Sequence, residues 1–395
     1  MHELKKLEIP NSIINEHSIP CTEIQNTWGS STIHHNESIF NPFGDSYILS
    51  RPDFDNALLQ YCKKLGINIQ SGVRITAIKK TENGWDLISK TKSHNVDFII
   101  DASGRTSKFN FGKVRHEKLQ QDSLIGITKH LVNSEVIKAE KSHVLVESTQ
   151  NGWWYTTQIA NGKMISTFMT DPTIVSRYKN SQSEFWNEEL IKTVHTKERL
   201  LPFALNNTVY TQSANSQIAK QIQGDGWLKV GDAAQSFDPL SSAGIIKGLK
   251  MGISAADALH SYISGNSNAL IEYEEITKLQ YKEYQQKRNE YYANETRWNN
   301  TPFWYHRNLR VKEIQTFSIT PMNNCKVNEE NLEEKIAFLN TQLPEINFKT
   351  LVNSLKQTPL VKDAVSFYLK KESQQQISPW LLQALESLKI IGVIQ

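Results

Sequence analysis

Four short runs between Ser123 and Thr170 carry apolar residues in strand-like fashion: Leu124 to Leu131, Val144 to Glu147, Trp153 to Ile159 and Met164 to Met169. Asn-Gly pairs at 151–152 and 161–162 separate the later ones. That combination predicts an antiparallel meander joined by tight turns. The chain before it reads differently. Residues 1 to 50 are broken up by Pro10, Pro20, Gly29, Pro42 and Gly44 and are expected to be irregular. Arg51-Pro52-Asp53-Phe54-Asp55 then opens a helix, with Pro early, acids in the first turn, an apolar face of Phe54, Leu58, Leu59 and Tyr61, and Gly66 as its stop. Asn68 to Ser71 and Val73 to Lys79 read as short strands, and Trp85 to Ile88 follows a Glu-Asn-Gly turn as a hairpin partner. Val96 to Asp101 is a compact apolar run that ends in Ala102-Ser103-Gly104. A buried strand running into small residues marks the ligand-facing edge of an open α/β sheet.

Beyond the meander the period lengthens. A helix is expected over Ser183 to Glu198, a short strand at Trp227 to Val230, and a helix lined with small residues over Ser241 to Ser261. Ala269 to Trp298 places Tyr273, Ile276, Tyr284 and Tyr291 near whole helical turns, and Leu332 to Leu339, Phe348 to Leu355 and Trp380 to Leu388 read as shorter helices. The pattern predicts a mixed α/β and α+β architecture. It comprises an incomplete Rossmann-like domain over 1–110 and 221–265, an antiparallel-sheet domain over 111–220, and a helical region over 266–395.

Composition narrows the partners. In 395 residues, 44 Lys and Arg nearly balance 41 Asp and Glu, and the basic residues form no stripe, so nucleic acid is not expected. Cys21, Cys62 and Cys325 lie far apart without a CxxC pair, which suits a reducing compartment and argues against a disulfide framework or zinc. His34 and His35 are adjacent, so their side chains point apart, and no metal is expected. No stretch reaches the ~18 apolar residues of a membrane span. The first residues lack a signal peptide's apolar core, so the cytoplasm is the expected setting.

The candidate chemistry lies in Trp227-Leu228-Lys229-Val230-Gly231-Asp232-Ala233-Ala234. The strand drives into Gly231, where backbone can approach a ligand. Asp232 then offers an acceptor-only carboxylate suited to a ribose hydroxyl. After Phe237-Asp238-Pro239-Leu240, the small residues Ser241-Ser242-Ala243-Gly244 begin a helix whose free N–H groups suit an electron-rich ring edge.

This string resembles the second FAD motif of the flavin monooxygenase superfamily that includes para-hydroxybenzoate hydroxylase and the tryptophan halogenases. The resemblance implies FAD as cofactor, Gly231 and Asp232 at its sugar chain, and Pro239, Ala243 and Gly244 along the flavin. Asp101-Ala102-Ser103-Gly104-Arg105 is similar to the D-A-[ST]-G-R string of the halogenase-like branch. Tyr47 to Asp55 resembles its W-x-L-D-R-x-x-F-D segment, which makes Arg51 a candidate contact to FAD phosphate, with Ser50 in place of the usual Asp. Tyr291-Tyr292-Ala293-Asn294-Glu295-Thr296-Arg297-Trp298 and Phe303-Trp304 resemble a narrower group, the flavoproteins that mature quinone-cofactor oxidases.

The family's opening strand, G-x-G-x-x-G turn and helix have no match here. The sequence is therefore expected to be truncated relative to the family, and this chain alone to hold FAD weakly, since that loop supplies the pyrophosphate contacts. The resemblance implies a monooxygenase that uses O2 and a flavin C4a-hydroperoxide to hydroxylate an electron-rich aromatic. The substrate is a small molecule or a Trp side chain of a partner protein. It would rest near Trp153, Trp154, Tyr155 and Asp238, although at least one of the two tryptophans is expected to be sheet packing. Halogenation is the rival reaction, but Trp153-Trp154-Tyr155-Thr156-Thr157-Gln158 does not meet the halogenases' W-x-W-x-I-P. A non-catalytic scaffold is the remaining alternative.

Overall fold

The computed structural model describes residues 2–37, 46–120, 122–133, 142–159, 161–178, 181–308, 327–329, 332–342, 346–357, 361–372, 384–385 and 388. They form two compact units, Met1–Trp298 and Asn299–Gln395. It is a mixed α/β fold in which the first unit carries the sheets.

The four alternating runs are strands: Ile125–Leu131, Ser142–Thr149, Gly152–Gln158 and Met164–Thr170. They do not form a simple meander, because Ile125–Leu131 pairs with Met164–Thr170 rather than with its sequence neighbour. The sheet is also larger than expected. Ser18–Asn26 joins it in parallel beside Ser142–Thr149, and His34–Glu37 and Ser46–Leu49 pair with Ser18–Asn26. The expectation of irregular chain before residue 50 is thus corrected, with helices at His2–Lys6 and Asn11–His17 as well. Pro20 is tolerated because pairing to Ser142–Thr149 begins only at Cys21, so the missing N–H falls outside that ladder.

One sheet face carries Trp154, Phe168 and Ile127 and is covered by helix Gln182–Ile191, whose Phe185 and Trp186 are fully buried. Ser181 and Glu184 start that helix as a capping box. The single helix expected over 183–198 is two. The Glu147 carboxylate on the sheet accepts the N–H groups of Val194, His195 and Thr196, which captures a second helix start at His195–Leu200.

The apolar run 96–101 is likewise divided. Ser93–Val96 closes a hairpin sheet with Ile75–Thr81 and Gly84–Ser89, while Ile99–Asp101 lies parallel to Trp227–Lys229. No strand forms at 68–71. Trp85, Ile99, Phe111 and Trp227 fill the space between these sheets, with Phe111 stacked on Trp227 at 4.1 Å. Helices Gly244–Ile263 and Ala269–Ala293 pack with Leu228 through Met251, Ala255, Leu270 and Tyr273. The second of them stops at Ala293, short of the expected Trp298. No helix among the described residues is long and apolar enough to cross a membrane.

In the second unit, Leu332–Gln342 and Phe348–Gln357 appear as expected, and Val361–Lys371 adds a helix. Phe348, Leu351, Val352, Leu355 and Tyr368 form its core. Most of the helix read at 380–388 lies outside the described residues.

Candidate functional site

The parallel pair Ile99–Asp101 and Trp227–Lys229 ends in two loops at one edge of the small sheet, with Lys229 opposite Asp101. Gly231 has φ +57, a conformation that suits glycine, and a Cβ built there would meet nothing within 4 Å. Asp232 follows in a one-turn helix, Gly231–Ala234. Its side chain is 31% exposed and is gripped from two sides, by Lys247 Nζ at 2.6 Å and Arg105 Nε at 3.2 Å. Arg105 also donates to the carbonyls of Asn215 at 2.7 Å and Phe237 at 2.6 Å. The Arg of the Asp101–Arg105 string therefore ties the Gly231-Asp232 loop to the turn that follows it. Asp101 itself is a turn former: it accepts from Ser103 N–H at 3.0 Å, Ser103 Oγ at 2.6 Å and Ser107 Oγ at 2.5 Å.

That second turn is built on a buried carboxylate. Asp238 accepts from Leu240 N–H at 2.9 Å through one oxygen, and from Tyr292 OH at 2.8 Å and Arg288 Nε at 3.2 Å through the other. Pro239 leads a single 3₁₀ turn to Ser241, and Ser242 at φ +49 swings the chain into helix Gly244–Ile263. Along that helix a Cβ at Gly244, Gly248 or Gly252 would meet nothing within 4 Å. Asp232, Gly231 and Gly244 thus present an accessible acceptor between bare backbone surfaces. Those features fit a flat ring system with a hydroxylated chain, so the residues present suit this half of an FAD site. Pro239 and Ala243 are half-buried beside them. Arg51 is not brought to this group by any hydrogen bond: its exposed guanidinium pairs with Asp55 at 3.0 Å on its own helix.

The surroundings are strongly cationic. Lys247 is 6% exposed on its side chain, and burial depresses its pKa while Asp232 opposes that shift. Lys118 is pushed down to about 8 by burial and by Lys229, and it donates to the Arg105 carbonyl. Lys229 Nζ, also depressed by burial, donates to His116 Nδ1 at 3.0 Å, and His116 is held down to about 4. A buried lysine hydrogen-bonded to an imidazole requires that imidazole to be neutral.

The substrate-side candidates separate. Trp154 lies on the helix-covered face, stacked on Phe168 at 4.8 Å and edge-on to Trp186 at 4.9 Å, and is packing. Trp153 lies on the other face, fully buried, and its Nε1 donates to Tyr292 OH at 3.0 Å. Trp28 packs edge-on against both Trp153 and Tyr292. Tyr155 is partly buried beside Ile19, Cys21, Ile48, Val144 and Ile159, and burial pushes its pKa up to about 12. Asp238, 1% exposed, is joined to Trp153 through Tyr292.

Sequence reasoning missed Lys247, Arg288 and Asp122, and gave no site role to Arg105 or Tyr292. The available signal was the four-residue step Tyr284, Arg288, Tyr292, which puts a guanidinium on an otherwise aromatic helix face. Burial works against the Arg288 charge, but Asp122 at 2.7 Å and Asp238 outweigh it and hold its pKa above the ordinary value.

Comparison with known proteins bears on the family and the fold. The sequence model of the tryptophan halogenase family matches residues 4–330. LodB of Marinomonas mediterranea, whose name describes an FAD-dependent oxidoreductase, is 29% identical over 286 residues, 71% of this chain and 76% of that protein. Among solved structures, the peptidyl tryptophan dihydroxylase QhpG, essential for tryptophylquinone cofactor biogenesis, aligns with TM-score 0.63 and 18% identity over 78% of this chain and 67% of its own. The myxobacterial chondrochloren halogenase CndH aligns with TM-score 0.69 and 15% identity over 96% and 87%. At these identities the structural likenesses show the fold.

Proposed function

Because this chain belongs to the tryptophan halogenase family and is an FAD-dependent oxidoreductase of that family, we propose that it hydroxylates an electron-rich aromatic, a Trp side chain of a partner protein. Reduced FAD, when bound, would supply the two electrons and the activation of O2 by which one oxygen atom enters the substrate and the other leaves as water. The chain's own residues place and seal that chemistry. Asp232 accepts a hydroxyl of the cofactor's sugar chain, and Lys247 and Arg105 fix the carboxylate in place. Pro239, Ala243 and the N–H groups at Gly244 border the ring, and the helix start there favours negative charge. The Trp153 face of the sheet, with Trp28, forms an apolar wall on the substrate side that excludes water.

The observation that carries hydroxylation over halogenation is the string Trp153-Trp154-Tyr155-Thr156-Thr157-Gln158, which departs from the halogenases' W-x-W-x-I-P. The likeness in fold to the peptidyl tryptophan dihydroxylase QhpG and the Tyr291–Trp298 stretch, which resembles flavoproteins that mature quinone-cofactor oxidases, support a peptidyl substrate. Cys21 and Cys62 are free thiols, which supports a reducing, cytoplasmic setting.

The test is an incubation of the purified chain with FAD, a flavin reductase with NADH, O2 and bromide. It is run once with free tryptophan and once with a tryptophan-containing oxidase subunit. Mass spectrometry should show the subunit gaining one or two oxygen atoms at tryptophan. Brominated tryptophan without any oxygenated subunit would overturn the proposal in favour of halogenation.

A further inference from the structure

Helix Ala269–Ala293 presents Tyr284, Arg288 and Tyr292 on one face, and all three reach the same turn. The Tyr284 ring stacks on Phe237 at 3.8 Å, and its OH accepts the Asp238 N–H at 2.6 Å while bonding Ser216 Oγ at 2.6 Å. Arg288 bridges two carboxylates, Asp238 at 3.2 Å and Asp122 at 2.7 Å, with side chains 9%, 1% and 9% exposed. Tyr292, fully buried, donates its one hydroxyl proton to Asp238 and accepts from Trp153 Nε1. The chain of donors therefore has one direction. It runs from Trp153 to Tyr292 to Asp238, with Arg288 donating outward to both carboxylates. A buried ion pair contributes little net stability that well-packed apolar residues would not equal. What such a network provides is a single geometry, since turning any member orphans its neighbour.

We propose that Tyr284, Arg288 and Tyr292 are positioning residues for the flavin, and that Tyr292 couples the Asp238-Pro239 turn to Trp153 on the substrate sheet. The inference rests on the reading of the Gly231–Gly244 segment as the flavin site. None of the three needs to touch cofactor or substrate. They hold the backbone between Phe237 and Gly244, and Trp153 is held to the same carboxylate. A shift of the sheet face is thereby transmitted to the ring's border.

FAD titration of the purified full chain tests this, followed by flavin absorbance and fluorescence, with the cofactor-free Tm as control. Tyr292→Phe keeps the ring and removes only the hydroxyl link. It should raise the FAD Kd about tenfold, or about 1.4 kcal/mol, and alter the shape of the bound flavin's visible band, beside a Tm loss of several degrees from the unpaired Trp153 N–H. Arg288→Met should do the same more strongly, and Arg288→Lys should recover part of the loss. Should Arg288→Met fail to fold, Tyr292→Phe carries the test alone. If Tyr292→Phe lowers Tm but leaves affinity and spectrum native, its role is structural and the proposal is overturned. Asp232→Ala separates the two levels. If it weakens FAD while Tyr292→Phe does not, only the positioning role falls; if it binds FAD as the native chain does, the flavin-site reading falls and this inference with it.

Discussion

His116 sits beside Lys229, Lys118 and Asp101 at the end of the small parallel sheet, and its state is set by what faces it. Burial lowers its pKa most, Lys229 and Lys118 lower it further, and Asp101 opposes them, with a net fall from 6.5 to about 4. The unfolded chain therefore takes up the proton first. Stability is full above about pH 6.5, falls as pH drops towards about 4, and stays level below that. Protonated His116 would place a second cation 3.0 Å from Lys229 Nζ. A Tm profile between about pH 7.5 and 4 should therefore slope downward, and His116→Gln, which keeps an acceptor without a titration, should flatten it. Parallel profiles for the two proteins would contradict this account. None of it was legible beforehand: His116 and Lys229 are far apart in the chain, and nothing local in either stretch says that they meet.

The long helix Ala269–Ala293 shows what an element can hide. Of the face read from Tyr273, Ile276, Tyr284 and Tyr291, only Tyr273 and Tyr284 are buried; Ile276 and Tyr291 are exposed, and Tyr281 and Tyr292 are buried in their place. Past its end, the motif Glu295-Thr296-Arg297 works as a latch. The fully buried Glu295 carboxylate accepts Gly29 N–H at 2.9 Å and Ser148 Oγ at 2.6 Å, and Arg297 closes on it at 2.6 Å. Burial would raise the Glu295 pKa, but these donors outweigh it and lower the value, so the latch weakens only as pH falls through the acidic range. Glu295→Ala should cost about 3 kcal/mol by leaving those donors unpaired. Gly29 is held at φ +74, and a Cβ there would lie 2.6 Å from the Asn294 carbonyl oxygen. Gly29→Ala should thus destabilise by about 2 kcal/mol or more through strain and clash. Urea unfolding of both variants checks the pair, and a midpoint unchanged from native in either would remove the latch.

At the scale of the molecule, a bound cofactor would add to the fold's stability. The glycines at 231, 244, 248 and 252 border open space in the protein alone, and Asp232 keeps exposed surface. A ligand that binds only the folded state at a hundred times its Kd adds about 2.7 kcal/mol. FAD at that excess should raise Tm by several degrees, and Asp232→Ala should reduce the rise. Thermal scans with and without FAD measure this directly; equal shifts for both proteins would place the cofactor elsewhere.

By itself the sequence determined four strands of the large sheet, those between Ile125 and Thr170, and where the long helices run. It also carried the string from Trp227 to Gly244 that identifies a flavoprotein. The elements are local properties, written in the period of apolar residues and in turn chemistry, so they need no partner to be read; the string is read by its resemblance to a known FAD motif. Only the tertiary structure decided that Ser18–Asn26 enters the same sheet, that Ile125–Leu131 pairs across to Met164–Thr170, and that Trp153 and Trp154 face opposite ways into different work. Only it joined Asp238 to Arg288, Asp122 and Tyr292, and Asp232 to Lys247 and Arg105. Such contacts link residues up to 166 positions apart. They form because a buried charge must find its counterpart wherever packing brings one, and no pattern along the chain encodes that meeting.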